Sequence, residues 1–364
     1  MDPLLSTLPE ELLDRVPAAT LAEARRLLSV SHRLGALPPV TPTGVRKTVM
    51  LAVRELYDVP VLSVVQRIPS ALDPFVKYAF RAPDYAVIEA VRIPLERPGR
   101  FVVCVSSQVG CAMGCAFCGT ARMGLARNLS AWEIVDQVRL VRADLPPHTH
   151  VHGVVFQGMG EPLANVREVV RAARVISNPS ALQVDARNVT VCTSGLGSAL
   201  PTLFECLPNA RLAVSIGSAL PEKRQRLIPL EKRWPLTSVL DLLADQARRT
   251  RIAPMWAWTL LRGVNDGDDE VDALRGLVDR FSERSGMKPR LSLLSYNRIA
   301  ADDTQESSSP ERVDAIRSAL GSLGIPVVRR YSGGSDVGAA CGQLGRAPGP
   351  DKVSPSPSGP AGSL

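Results

Sequence analysis

The chain has 364 residues, 45% of them hydrophobic and 22% charged, with a formal net charge of +7. That composition excludes a disordered or fibrous protein and is long enough for one large α/β domain plus a smaller one. No stretch approaches the roughly 20 apolar residues of a membrane span, and no basic leader precedes an apolar run, so the expected location is cytoplasmic, where thiols stay reduced.

Three segments with apolar residues at helical spacing open the chain: "PLLSTLPEELLDRV", "TLAEARRLLSV" and "TPTGVRKTVMLAVREL", the last with Thr41 or Thr43 as a cap. Two alternating segments follow in "DPFVKYAFRAPDYAVIEAVRIP", folded about Ala82-Pro83-Asp84 into a β-hairpin or meander. Residues 1–100 are expected to form an accessory domain. From Phe101 the pattern becomes strand, loop, helix, repeated. The strands are "RFVVCVSS", "VHGVVFQG", "NVTVCTSG", "RLAVSIG", "APMWAWTLL" and "RLSLLSYN". Amphipathic segments such as "SAWEIVDQVRLVRADL", "VREVVRAARVIS", "LTSVLDLLADQARRT" and "DDEVDALRGLVDRFSERS" separate them. Near-continuous apolar strands between such helices predict a parallel sheet, here a partial (β/α)6 barrel over residues 101–345. Functional loops of such a barrel sit at the strand C-terminal ends. The cysteine-rich loop, "GMGEP", "TSG", "SIGS" and Asn297 all fall there. A last helix, "SPERVDAIRSALGSLG", precedes a short strand, "IPVVRRY". Residues 346–364, rich in Pro, Gly and Ser, are expected to be disordered.

Of seven cysteines, four lie within fifteen residues, in "CVSSQVGCAMGCAFC". Cys111, Cys115 and Cys118 follow a C-x3-C-x2-C spacing with no second pair elsewhere. Structural zinc takes four protein ligands, and none of Cys192, Cys206 and Cys341 has a neighbouring histidine. A 4Fe–4S cluster takes one thiolate per iron, so three cysteines leave one corner open. In "GMGEPL", glycines admit close backbone approach and Glu161 can accept hydrogen bonds from an ammonium group.

With "CVSSQVGCAMGCAFCGTARMGLARNLSAWEIVDQV", "VVFQGMGEPLANV", "NVTVCTSG", "LLSYN" and "GSDVGAACGQL", the chain from about Lys77 to Leu344 closely resembles the RlmN/Cfr family of radical S-adenosylmethionine (SAM) RNA methyltransferases. The resemblance implies one 4Fe–4S cluster on Cys111, Cys115 and Cys118, with SAM chelated at the open iron. It implies SAM contacts from Gly160, Glu161, Cys192, Ser215, Ile216, Gly217 and Asn297. It further implies that Cys341 carries a methyl group as S-methylcysteine, that Cys104 resolves the intermediate through a transient disulfide with Cys341, and that Glu89 accepts the ring proton. Carbon 2 or carbon 8 of an adenine in rRNA or tRNA would be methylated. A one-electron donor such as flavodoxin or ferredoxin would serve a monomeric enzyme. Three positions depart from the family pattern: Cys192 stands where a serine is usual, Gly217 replaces a histidine, and Gly333 replaces an arginine. All three lie near substrate, so a radical SAM enzyme acting on a peptide or small metabolite is the alternative. The net positive charge is compatible with RNA, although arginine-rich coding gives the same balance.

Overall fold

The computed structural model describes residues 1–300, 303–322 and 324–345; the tail expected to be disordered lies outside them. Helices α1 (Pro9–Arg15), α2 (Leu21–Leu34) and α3 (Lys47–Leu56) open the chain. Their apolar stripes close a small core from Leu12, Ala24, Leu27, Leu28, Val49, Met50 and Val53. At the start of α2, Thr20 and Glu23 form a capping box: the Glu23 N–H donates to the Thr20 hydroxyl, and the Thr20 N–H to Glu23 Oε2. The start of α3 departs from expectation. Arg46 occupies its cap position, so neither Thr41 nor Thr43 caps it. The buried Glu23 carboxylate instead accepts from the Arg46 backbone and guanidinium, both at 2.9 Å, which holds it well below the usual carboxylate range.

Ten strands then form one sheet: β1 (Ser63–Pro69), β2 (Val76–Arg81), β3 (Val87–Pro94), β4 (Arg100–Val105), β5 (His150–Phe156), β6 (Val189–Thr193), β7 (Arg211–Ser215), β8 (Met255–Leu260), β9 (Arg290–Ser295) and β10 (Val327–Arg330). Their spatial order follows their sequence order. Strands β1 to β4 pair antiparallel. From β4 to β10 every pair is parallel. Parallel neighbours require crossovers, and these carry α4 (Ala131–Ala143), α5 (Val166–Ser177), α6 (Leu200–Cys206), α7 (Leu236–Thr250), α8 (Asp268–Ser285) and α9 (Pro310–Gly321) in turn. Among the described residues β1 and β10 do not pair, so the barrel is open. No described helix is long and apolar enough to cross a membrane.

The two faces of the parallel strands differ, because successive side chains point opposite ways. One face carries Val103, Val105, Val154, Phe156, Val191, Val214, Trp256 and Trp258, packed with the helices in the main core. The other carries Cys104, Val155, Cys192 and Ala213, in a smaller cluster with Met159, Phe75, Ala339 and Leu344. Large residues under the helices and small ones inside leave the barrel interior hollow at its C-terminal end. The hairpin strands continue this sheet: Val91 of β3 sits opposite Cys104 of β4. Glu89, two residues earlier, therefore shares the inner face.

His32 is buried on α2 with both ring nitrogens lacking a partner. Burial, helped by Arg139 and Arg142 of α4, holds its pKa down to about 4. Above the unfolded value of about 6.5 the ring is neutral in both states and costs nothing. Between there and about 4 the unfolded chain binds the extra proton, so stability falls with pH, by about 3 kcal/mol in all. Urea unfolding at about pH 7 and pH 5 should show about 2 kcal/mol of this loss, and His32→Leu should flatten it.

Candidate active site

The loop after β4 carries the three spaced cysteines. A short antiparallel pair, Gln108–Gly110 with Leu125–Asn128, closes its base. Gly110 and Gly124 cross so closely there that a Cβ on Gly110 would meet the Gly124 carbonyl oxygen at 1.8 Å. Cys111 is buried, Cys115 and Cys118 are partly exposed, and all seven cysteines are free thiols. Burial pushes the Cys111 thiol up to about 11, with the charges of Glu161 and Cys118 adding to it. Cys115 is pushed up further, by burial first and then by Cys118 and Cys111, while Arg224 pulls it down. The three sulfurs thus feel one another.

These cysteines form one wall of a cavity of about 880 Å³, counted to its open mouth. Glu161, Ser194, Ser215 and Thr259, from the ends of β5 to β8, also line it. Glu161 is buried and held on both oxygens: Oε2 accepts from the Ser194 N–H at 2.8 Å and hydroxyl at 2.7 Å, and Oε1 from the Leu163 N–H at 3.0 Å, which leaves Oε1 room for a further donor. Gln108 accepts the Glu161 N–H at 2.8 Å. Gly160 has a φ of +101°, and a Cβ there would meet Gln108 Cβ at 2.6 Å. Only glycine lets this loop pass.

Cys341 lines the same cavity and also an adjoining one, which contains Cys104, Phe75, Arg330 and Tyr331. Cys118 and Gly342 line both as well, so Cys341 sits where the two cavities meet. Its segment is fastened to the cysteine loop: the Gly119 N–H donates to the Gly342 carbonyl at 2.6 Å and the Thr120 hydroxyl to the Leu344 carbonyl at 2.7 Å. The Cys341 N–H donates to the Ser332 hydroxyl at 2.9 Å, and the Asn297 amide donates to that same oxygen at 3.1 Å and to the Cys341 carbonyl at 3.2 Å. Asn297 therefore braces Cys341. Glu89 lies behind these groups, in a buried ion pair with Lys77 at 2.7 Å, and its Oε2 accepts the Gly345 N–H at 2.7 Å. Burial pushes the thiols of Cys104 and Cys192 upward, the latter to about 12.

Sequence reasoning missed Arg224, which is fully buried on the short helix Pro221–Leu227. It donates to the carbonyls of Ile216 and Ser194, both at 2.8 Å, and of Ser215 at 3.3 Å, and it pairs with the buried Glu231. Leu227, at the end of that helix, accepts the Ala116 N–H at 2.9 Å. One guanidinium thus ties the ends of β6 and β7 together beneath the cysteine loop. By pattern alone an arginine in "PEKRQRL" is indistinguishable from a solvated one. Ser194 was visible within "TSG", but its grip on Glu161 was not.

The departures have local reasons. Gly217 has a φ of +69°, and a Cβ there would meet Ile228 Cδ1 at 2.7 Å, so no histidine is accommodated. A Cβ on Gly333 would meet Asp73 Oδ2 and Phe75 Cε2, both at 2.5 Å. Cys192 is buried on the inner face of the cavity wall.

Among the described residues no three His, Cys, Asp or Glu side chains converge as the ligands of one ion would. Thiolates on separate corners of an iron–sulfur cube do not converge on a point, and three of them beside a carboxylate and hydroxyls fit such a cluster with an amino-acid-bearing ligand at its open corner.

No protein-family model matches the chain. It is 49% identical over 380 residues to a probable RNA methyltransferase of Sorangium cellulosum, covering 98% of this chain and 96% of that one. It is 34% identical to a probable dual-specificity RNA methyltransferase RlmN of Thermus thermophilus, covering 99% and 98%. The crystal structure of a radical SAM methyltransferase from Sphaerobacter thermophilus superposes with a TM-score of 0.81 at 30% identity, covering 95% of this chain and 99% of that one. The chain belongs to the RlmN family of radical SAM RNA methyltransferases.

In this family member, Arg224→Met should leave Glu231 buried without its cation, a loss of about 3–5 kcal/mol. A fall in the urea midpoint larger than that of Arg226→Met, on the same helix but exposed, checks this.

Proposed function

We propose that the enzyme methylates a ring carbon of an adenine in ribosomal or transfer RNA through S-methylcysteine at Cys341. The observation that carries this reading is the position of Cys341, on the walls of both the cavity holding Cys111, Cys115, Cys118 and Glu161 and the cavity holding Cys104. A sulfur placed there can take a methyl group on one side and deliver it on the other. In this reading Cys111, Cys115 and Cys118 hold a 4Fe–4S cluster, and SAM lies against Gly160, Glu161, Cys192 and Ser215, which line the same cavity. Ile216, buried in the main core, and Gly217 lie outside that lining and serve the site only by shaping the loop after Ser215. Asn297 serves the same site through its bond to the Cys341 carbonyl. When bound, cluster and SAM supply the methyl group and, with an electron from a carrier such as flavodoxin or ferredoxin, the radical that activates it.

The chain's residues account for the remaining steps. Carbon 2 or carbon 8 of adenine is a poor nucleophile toward a sulfonium methyl, so a carbon bridge from Cys341 to the base is needed. Burial keeps Cys104 a thiol until turnover, away from oxidants and electrophiles. Cys104 loses its proton as its sulfur attacks Cys341. An S–S bond forms, the bond from Cys341 to the bridging carbon breaks with its electron pair passing to that carbon and the ring, and the carbon takes up a proton to become the methyl group. The ring proton passes to Glu89, whose carboxylate pairs with Lys77 and accepts the Gly345 N–H. The target base must leave its stack to reach these groups.

Cys341→Ala should retain iron and sulfide but transfer no methyl to RNA, as read by mass-spectrometric mapping of modified adenines. Full activity would overturn the carrier role. Cys104→Ala should stall with RNA covalently held on Cys341, visible as a shifted band on a denaturing gel; turnover without such a band would remove Cys104 from the reaction.

A further inference from the structure

The mouth of the Cys104–Cys341 cavity carries an aromatic residue that the chemistry above does not use. Tyr331 follows β10 and is 69% exposed, whereas Phe75 beside it is 6% exposed. Their ring centroids lie 5.9 Å apart at an interplanar angle of 75°. The Tyr331 hydroxyl donates to Asp73 Oδ2 at 2.8 Å, and that oxygen also accepts the Gly334 N–H at 2.8 Å. The ring is thus anchored at its tip and edge while much of its surface meets solvent. Gly333 contributes no side chain, and none would fit between Asp73 and Phe75. Arg330, on the cavity wall, donates to Gln157 Oε1 at 3.2 Å and brings a cation to the entrance.

An exposed tyrosine alone needs no explanation; Tyr85 is more exposed, at 81%, and sits on the β2–β3 turn, outside the lining of this cavity. Tyr331 differs because it borders the cavity that holds Cys104 and Cys341. Splayed nucleobases are held by stacking on aromatic rings, with arginine contributing alongside. The anchored ring loses little entropy when a base settles on it.

We infer that Tyr331, backed by Phe75, is the platform on which a nucleobase of the RNA substrate stacks as it enters the Cys104–Cys341 cavity. This rests on the RNA reading above.

The test is fluorescence titration of the holoenzyme with a short single-stranded RNA in which one adenine is replaced by 2-aminopurine, whose emission is quenched by stacking. The native protein should bind and quench. Tyr331→Ala should bind about tenfold more weakly and lose most of the quenching, within the range that one lost base stack costs. Tyr331→Phe keeps the ring but not the bond to Asp73, and should keep most of the quenching and lose far less affinity than Tyr331→Ala. Equal binding and quenching by Tyr331→Ala would overturn the inference, and so would an equal loss in Tyr331→Phe, which would reduce the residue to a latch on Asp73. If the native protein bound no RNA, the functional reading itself would fail, a different outcome from native binding that Tyr331→Ala leaves unchanged.

Discussion

The active centre depends on a crossing of two backbones. Gly119, just past the third spaced cysteine, donates its N–H to the carbonyl of Gly342, just past Cys341. The neighbouring bond from Thr120 to the Leu344 carbonyl joins residues 224 positions apart. The approach tolerates no side chains: a Cβ on Gly342 would meet the Phe117 carbonyl oxygen at 2.8 Å, and one on Gly119 would meet the Gly342 oxygen at 3.1 Å. Gly342 also has a φ of +85°, a conformation that glycine adopts at little cost. With these bonds in place, Cys341 has one fixed position relative to Cys111, Cys115 and Cys118. The bonds of Asn297 and Ser332 to Cys341 and of the Gly345 N–H to Glu89 hold the same segment from its other sides.

Around that crossing, the sheet supplies space and the buried polar groups supply rigidity. Small residues on the inner face, among them Cys104, Cys192 and Ala213, open the interior, whereas Trp256 and Trp258 fill the space beneath the helices. The cavity walls are then fixed by buried bonds that leave few donors or acceptors unmatched. Glu161 is fixed by Ser194 and Leu163, Arg224 by three carbonyls and Glu231, and Asn297 by Ser332 and Cys341. A charged group buried among matched partners is costly to displace, so these bonds hold each loop in place.

The parallel strands were legible in the sequence because an apolar run between amphipathic helices has few other solutions. Placing the functional loops at one rim followed from that order alone. What the sequence hid were partnerships across long separations. Nothing in "VIEAVRIP" indicates that Glu89 pairs with Lys77, and nothing in "LLSYN" that Asn297 reaches the Cys341 carbonyl. The strand Ser63–Pro69 also escaped notice: its side chains are mostly exposed, so no apolar alternation marks it. Helix α6 spans only seven residues, too few for a periodic pattern to emerge.

The hairpin strands illustrate how a sequence-based division can understate a dependence. Residues 1–100 look separable by pattern, yet β3 supplies the antiparallel partner of β4, and the turn after β1 is fastened to the Cys341 segment. Asp73 accepts from Tyr331 and Gly334, while Asp336 accepts the Ala71 N–H at 2.8 Å and the Ser70 hydroxyl at 2.7 Å. Removing β1 to β3 would expose the edge of β4, take away Glu89 and release the segment that carries Cys341. The helices α1 to α3, with a core of their own, stand in a different relation. The hairpin strands therefore belong mechanically with the barrel, and the helical cluster is the part of the N-terminal region whose sequence is free to answer to something other than the reaction.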